Sequence, residues 1–495
     1  MIGIAFASKK IRKIFDKNPK VIFIDNKGFW GFFDNSSERI LLPNIQNNFI
    51  EKFNVSVARI YLNSYMPIWT RYIPHANQYE KKREEALVSI YNIFVMLNNF
   101  KINSVIFHTS VVHGINDSFL SIACRLKRIK QIYLYSQIIN QSRLLPTLQS
   151  DDIKSRILLN INVSSFKFKK SINKFLNRKK RELPPEEFIG TKNKGLLQAV
   201  IFLLRREIFF LRIKIIKITK RIIFQKKKKG GGGVDSQNFL SIIPHSFDKY
   251  SFFEDLISII NQILYLRALS KEIISDHELN ILRTSDKPKL IILAHFQPEA
   301  TSFPEGGDYY SHIDIVFAIR NKKYKDQILY KEHPGTFEYF CKIVGLLKVG
   351  INRSSVYLKL LKNLGCKFLP SNYNISIKTD HNWYVPITMT GSIAIERSLG
   401  GLHTIYTGVP WWKGLPGTIY INDIKSLEEI PAKWAKFDAV IQRKAKIFLE
   451  NKLSNKTITN ISGIGTGVSD YAKKSEKNFK LEILKIIKWL SKNKY

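Results

Sequence analysis

Three short stretches of this chain put proton-transfer and phosphate-binding residue types where backbone ends rather than continues. The first is His295-Phe296-Gln297-Pro298-Glu299-Ala300-Thr301, in which Pro298 stops an extended run and leaves Gln297 and Glu299 free to face a ligand while Phe296 packs beneath. Glu299 has a simpler reading as a cap of the following turn. The second is Lys331-Glu332-His333-Pro334-Gly335: an imidazole suited to proton shuttling or to donation to phosphate, beside a fixed positive charge. The third is Thr390-Gly391-Ser392-Ile393-Ala394-Ile395-Glu396 with Gly400-Gly401 beyond it. Gly391 lets backbone approach a ligand, Ser392 can cap a helix start or donate, and Glu396 lies one helical turn further on the same face, where it can accept from ribose or base hydroxyls. An ordinary capped helix accounts for the same string.

Each stretch follows a short apolar run, and that fixes the kind of element holding it. Lys289 to Ala294 precedes the first, Gln327 to Tyr330 the second and Val385 to Met389 the third, with a helix expected over Ser392 to Leu399. Strand, loop and helix in alternation imply a parallel sheet with its functional loops at the carboxyl ends of the strands. The N-terminal part repeats the pattern. Val21 to Asp25, a helix over Tyr79 to Asn99, Ser104 to His108, a helix over Phe119 to Leu126 and Gln131 to Tyr135 form a second alternating unit. Helical patterns are also expected over Phe247 to Ile281, Glu428 to Leu449 and Glu482 to Ser491.

The 495 residues carry 79 Lys plus Arg against 40 Asp plus Glu, a net charge of +39 that calls for an anionic partner. The excess is concentrated: residues 151–229 hold 23 Lys plus Arg against 6 Asp plus Glu. Within them Gly195 to Phe224 mixes Leu, Ile and Phe with a base every few residues, the pattern of a helix lying on an anionic bilayer; a basic helix docked on its own domain is the alternative. Lys226–Lys229 followed by Gly230–Gly233 breaks any continuous helix. The N-terminal apolar stretch is too short for a secretory signal, and no uncharged run reaches membrane-spanning length. Three distant cysteines exclude a disulfide framework and a zinc-spaced cluster, which fits a cytoplasmic chain. Dinucleotide, Walker and nucleophile-elbow signatures are missing, and no Asp-x-Asp pair follows a strand, so metal-independent chemistry is expected.

In this order the stretches resemble the bacterial capsule and surface-polysaccharide biosynthesis family that includes the Kdo transferases of capsule assembly. His295–Thr301 is similar to its H-x-Q-P-E-x-T, Lys331–Pro334 to its K-E-H-P, Arg353–Tyr357 to its R-S-x-x-Y and Thr390–Glu396 to its T-G-S/T-x-x-x-E. Gly400-Gly401, Tyr406-Thr407-Gly408 and Trp411-Trp412 continue the likeness, which covers Lys289 to Tyr420. Upstream, His108 to Asp117 is similar to a looser P-H-x-x-x-D, with Val112 at the proline position.

The resemblance implies an α/β chain of GT-B-like architecture, two doubly wound Rossmann-like domains facing a cleft, with a basic helical insertion. The expected parts are an acceptor-side domain over 1–150, the basic insertion with its glycine junction over 151–238, a helical connection over 239–288, the nucleotide-sugar domain over 289–430 and terminal helices over 431–495. It implies sugar transfer from a CMP- or UDP-linked donor to a capsular or lipid-linked glycan at the inner membrane face, with no cofactor beyond the donor itself. Gly391, Ser392 and Glu396 would bind the nucleotide, Lys331 and His333 would steady its phosphates, and Gln297 and Glu299 would lie nearest the sugar. Asp117 or His113 would act on the acceptor side as base or nucleophile, with Glu299 as rival. A UDP-sugar 2-epimerase is the alternative enzyme, and a basic nucleic-acid- or membrane-binding scaffold the alternative of another class.

Overall fold

The computed structural model describes residues 2–5, 21–26, 53–65, 79–99, 101–107, 115–136, 139, 143–149, 156–163, 167–177, 239–242, 264–265, 267–295, 305–333, 353–370, 373, 375, 382–459 and 472–492. They form a mixed α/β structure around two largely parallel sheets.

The first sheet contains β1 (Ile2–Ala5), β2 (Val21–Asn26), β3 (Ser104–Phe107), β4 (Lys130–Ser136), β5 (Arg143–Gln149), β6 (Arg156–Leu158) and β7 (Phe239–Ile242). Its order is β5-β4-β3-β1-β2-β7, with β6 on the outer edge of β5. Strands β1 to β4 and β7 run parallel, while β5 lies antiparallel to β4, and β6 to β5. The segment expected as a helical insertion from residue 151 therefore opens inside this sheet. Beyond β6, residues 159–163 and 167–177, the latter containing the helix Phe168–Leu176, are the described part of that segment; Gly195 to Phe224 and the glycine junction lie outside the described residues.

Alternate residues of the strands feed two cores. Val105, Phe107 and Tyr133 pack under α1 (Val55–Ser64), α2 (Tyr79–Asn99) and α3 (Ile115–Leu126). The Phe107 and Tyr133 rings stack at 4.4 Å. Ile106, Ile132 and Leu134 point to the opposite face. Asn54 caps α1, its side-chain oxygen accepting from the Val57 amide at 3.0 Å.

The second sheet holds β8 (Lys289–Leu293), β9 (Ile328–Lys331), β10 (Cys366–Leu369), β11 (Tyr384–Thr388), β12 (Thr404–Tyr406) and β13 (Thr418–Tyr420), all parallel, in the order β10-β9-β8-β11-β12-β13. Every residue of β9 and β11 is buried, as expected for strands covered on both faces. On one face lie α6 (His312–Asn321) and α7 (Ser355–Asn363), started by Ser311 and Ser354 caps. On the other lie α5 (Asp276–Arg283), set by a capping box between Ser275 and Glu278, and α8 (Ile393–Leu399).

The helical pattern from Glu428 resolves into a 3-10 turn at Ala432–Ala435 and then α9 (Ala439–Leu453), because Asp438 accepts from the Val440 and Ile441 amides and starts the helix afresh. The chain then returns to the first sheet. β14 (Ile458–Thr459) pairs with the head of β5, and α10 (Ala472–Lys492) lays Phe479, Ile483, Ile486, Ile487 and Leu490 on the face opposite α1 to α3. Each such buried side chain contributes roughly 1.5–3 kcal/mol. A further cluster joins the two halves: Ile139 and Leu145 of the first, with Ile172 and Phe175 of α4 (Phe168–Leu176), share it with Ala394, Ile395, Tyr406, Trp412, Ala445 and Leu449.

Candidate functional site

The second sheet winds outward from β8 in both directions, first to β9 and β10 and then, crossing back, to β11, β12 and β13. The order reverses between β8 and β11. A crevice opens beyond the carboxyl ends of strands at such a switch, and loops that leave it in opposite directions can hold a ligand between them. His295 follows β8 and Thr388 ends β11, so both stand at that position.

His295 is fixed on several sides. Its backbone amide donates to His312 Nε2 at 2.8 Å, and its carbonyl accepts from Arg353 Nη2 at 3.3 Å. Its ring Nε2 receives the Met389 amide at 3.2 Å and the Thr390 amide at 3.4 Å. A nitrogen that accepts from backbone amides carries no proton, so the Thr388 hydroxyl, 2.9 Å away, is also a donor to it, and the ring proton resides on Nδ1. Among the described residues nothing hydrogen-bonds Nδ1. Burial, helped by His333 and Arg353, pushes the imidazole down to about 3, so the ring is neutral at physiological pH. The Thr388 oxygen in turn accepts from the Gly391 amide at 3.1 Å, and a Cβ at Gly391 would stand 2.5 Å from that oxygen. This turn needs glycine for space.

Beneath the strand ends lies a buried ion pair. Arg353 donates through Nε to Glu332 Oε2 at 2.7 Å and through Nη2 to Oε1 at 3.1 Å, with side chains 3% and 1% exposed. Tyr265 adds its hydroxyl to Oε2 at 2.6 Å, and the His333 amide donates to Oε1 at 2.7 Å. Burial pushes the Glu332 carboxyl up, but the Arg353 charge, with hydrogen bonds from Arg353, Tyr265 and the His333 amide, holds it below its ordinary range. Arg353 is held well above its own despite burial, because Glu332 faces it. His312 is pushed well below its ordinary value by burial and Arg353; its Nδ1–H donates to the Tyr357 hydroxyl at 3.1 Å.

The expected site residues fall as follows. Lys331 is the last residue of β9 and is buried, rather than opening a loop. His333 follows at the same strand end. Burial lowers its ring to about 4, against the pull of Glu332. Gly391, Ser392 and Glu396 lie at the turn and helix after β11, so the second and third stretches are brought to neighbouring strand ends, with His295 of the first between them. Ser392 does not cap α8: its backbone is already helical, and its hydroxyl donates to Glu396 Oε1 at 3.3 Å. Asp117 lies in the first turn of α3 instead of a strand-end loop. Gln297, Glu299 and His113 lie outside the described residues. Among the described residues no group of three or more His, Cys, Asp or Glu is arranged to hold a metal ion.

Sequence reasoning passed over Tyr265, His312 and Thr388, and gave Glu332 no role. A signal existed for Glu332: a carboxylate directly after four buried strand residues must find a cation, and Arg353 was among the quoted residues. One contact ties this region to the first half. Tyr135 at the end of β4 donates to Glu305 Oε2 at 3.1 Å, and the Glu305 carbonyl accepts from the Val409 amide at 2.7 Å beside Gly408, where a Cβ would strike that same carbonyl.

No family model matches the chain, and no curated protein matches it. Three solved structures similar to it are enzymes. The Thermosulfurimonas dismutans KpsC, a beta Kdo 2,7 transferase, is 12% identical with a TM-score of 0.29, over 79% of this chain and 89% of that one. The UDP-N-acetylglucosamine 2-epimerase of Rickettsia bellii is 12% identical with a TM-score of 0.21, over 99% and 98%. The Neisseria meningitidis UDP-GlcNAc 2-epimerase, bound to UDP-GlcNAc, is 9% identical with a TM-score of 0.18, over 99% and 100%.

Proposed function

We propose that this chain is a metal-independent glycosyltransferase of GT-B type. It moves a sugar from a CMP- or UDP-linked donor to a capsular or lipid-linked glycan, as a cytoplasmic protein held peripherally on the inner face of the membrane. The observation that carries the reading is the meeting of His295, Thr388 and Gly391 across the switch between β8 and β11. A glycine-lined turn and a neutral imidazole donor are suited to a nucleotide diphosphate or monophosphate, and the resemblance over Lys289 to Tyr420 supports the donor class.

In this reading the unit around the second sheet, residues 289–430, binds the donor and the unit around the first, residues 1–150, presents the acceptor across a cleft. Gly391, Ser392 and Glu396 hold the nucleotide, Lys331 and His333 steady its phosphates, and Gln297 and Glu299 lie nearest the sugar. A base from the first unit, Asp117 or His113, or Glu299 from the second, serves the reacting centre. The basic residues of 151–238 hold the protein at anionic headgroups.

The test is a thermal-shift panel of CMP, UDP, GDP and dTDP nucleotides on wild type, His333→Ala and Glu396→Ala. A ligand at a hundred times its Kd stabilises the folded protein by about 2.7 kcal/mol, a readily measured shift. A shift with CMP or UDP that both substitutions abolish supports the reading, and silence across the panel refutes it. Solvent deuterium entering the donor's sugar without acceptor would replace transfer by epimerisation.

A further inference from the structure

We infer that the outer face of α9 and the turn before it form the surface on which this protein docks to an anionic lipid bilayer. Phe437 is 60% exposed, Val440 47% and Ile447 52%, all in one short stretch that also buries Ala445, Leu449 and Leu453 on its opposite side. Large apolar side chains on an outer face are the informative departure when they cluster, as here, rather than scatter.

Helical spacing makes them a strip. Arg443, Lys444 and Ile447 lie three, four and seven residues beyond Val440 and share one face with it, with Phe437 and Lys436 at its entrance, all exposed. Apolar tips set among long cationic side chains describe a helix lying in a bilayer interface: the apolar groups enter the acyl boundary while the cations meet phosphate. Glu450 is the helix's single acidic residue, and it stands at the edge of the strip.

The chemistry next to it has the same sign. α4 shares the buried cluster of α9 through Ile172 and Phe175, and its Lys169, Lys170 and Lys174 are exposed. The described helix of the basic 151–229 segment is therefore seated beside α9. An acidic protein would satisfy the charges but gives no reason for three exposed apolar residues between them, and a bilayer of anionic lipid satisfies both. No helix among the described residues is long and apolar enough to cross a membrane, so the contact is one of surface docking.

This inference rests on the proposal that the chain works at a membrane and adds which face meets it. The experiment is flotation of the full-length protein with vesicles of phosphatidylcholine alone or mixed with phosphatidylglycerol. Wild type is compared with Phe437→Ser/Ile447→Ser, with Arg443→Glu/Lys444→Glu and with Arg205→Glu/Arg206→Glu in the basic segment. Each variant is first checked for wild-type melting. The expected result is binding only to the mixed vesicles, weakened at least about thirtyfold by the Arg443/Lys444 reversal and about tenfold by the Phe437/Ile447 change. Binding by both α9 variants equal to wild type, with loss confined to the Arg205/Arg206 variant, overturns this face and leaves the membrane proposal standing. Wild type that ignores both vesicles overturns both and returns the strip to an acidic protein partner.

Discussion

Replacing Arg353 with Met removes the cation from a carboxylate that has no route to water. Glu332 is 1% exposed and its two oxygens are served by Arg353 Nε and Nη2, the Tyr265 hydroxyl and the His333 amide. Losing one partner of such a pair costs about 3–5 kcal/mol, because the desolvation already imposed on the survivor is no longer offset. The guanidinium also leaves the His295 carbonyl and the Tyr357 ring, which it faces at 4.9 Å. For a cooperative unit of 150–250 residues, 3–5 kcal/mol lowers the melting midpoint by about 6–20 °C. The double variant Glu332→Gln/Arg353→Met leaves neither member of the pair charged, and its loss falls short of the two single losses combined by at least about 2 kcal/mol.

The pH profile separates this account from simple loss of packing. In wild type Glu332 ionises below its ordinary range, so its contribution is fully present above about pH 4.3 and is lost as the pH falls through the lowered value. In Arg353→Met burial acts on the carboxyl without its cation and raises it. Folding then favours the protonated acid, a contribution present below about pH 4.3 and lost as the pH rises through the raised value. Denaturation at several pH values should show the gap between the two proteins widening from pH 5 to 8. A gap that stays constant with pH, or one under about 1 kcal/mol, refutes the reasoning.

Three other perturbations follow from the same geometry. Gly391→Ala displaces the Thr388 hydroxyl from His295, costs about 1–3 kcal/mol and shrinks the thermal shift given by CMP or UDP; an undiminished shift would show that this turn is not part of the ligand site. His295 is lowered to about 3, so as a neutral group it stabilises above about pH 6.5 and loses that contribution as the pH falls; His295→Gln reduces the slope of unfolding free energy between pH 6.5 and 4 by about 1.4 kcal/mol per pH unit, and an unchanged slope denies the buried neutral ring. Tyr135→Phe removes the donor to Glu305 and lowers stability to urea by about 1–3 kcal/mol, whereas an unchanged midpoint means that this hydrogen bond does not couple the two halves.

What could be read from the chain divides along physical lines. Strands β8, β9 and β11 were legible because strands buried on both faces are written as unbroken apolar runs, and each ended within a residue or two of the expected place. The terminal helix expected over Glu428–Leu449 was only half legible. Its apolar spacing persists through Pro431 and Asp438, but the Asp438 side chain accepts from the amides two and three residues on and restarts the helix there. Within Phe247 to Ile281, residues 264–265, 267–271 and 276–281 are helical as expected, but the pattern is broken between them for a similar reason: Ile273 pairs with Phe368 at the edge of β10, and Ser275 caps a new helix; 247–263 lie outside the described residues. The Glu332–Arg353 pair was not legible as a pair, since its members are 21 residues apart on a strand end and before a helix, and only tertiary packing joins them. Nor does any local pattern show that Glu305 and Tyr135, 170 residues apart, will meet.

The buried ion pair accounts for position rather than for net stability, because a well-packed apolar pair of similar volume would stabilise as much or more. Glu332 holds Arg353, Arg353 holds the His295 carbonyl, His312 holds the His295 amide, and the β11 turn occupies ring Nε2. Every polar atom of His295 except Nδ1 is thereby used, and the tautomer is set by amides that cannot exchange roles. A lysine at this place would attract phosphate more strongly, but its flexible ammonium would take no fixed direction. A histidine without this scaffold would titrate near pH 6.5 and present two states across the physiological range. Held as it is, with its ring lowered to about 3, it is one neutral N–H in one orientation at any pH well above 3, and in the proposed reading such a donor costs no reorganisation when the nucleotide arrives.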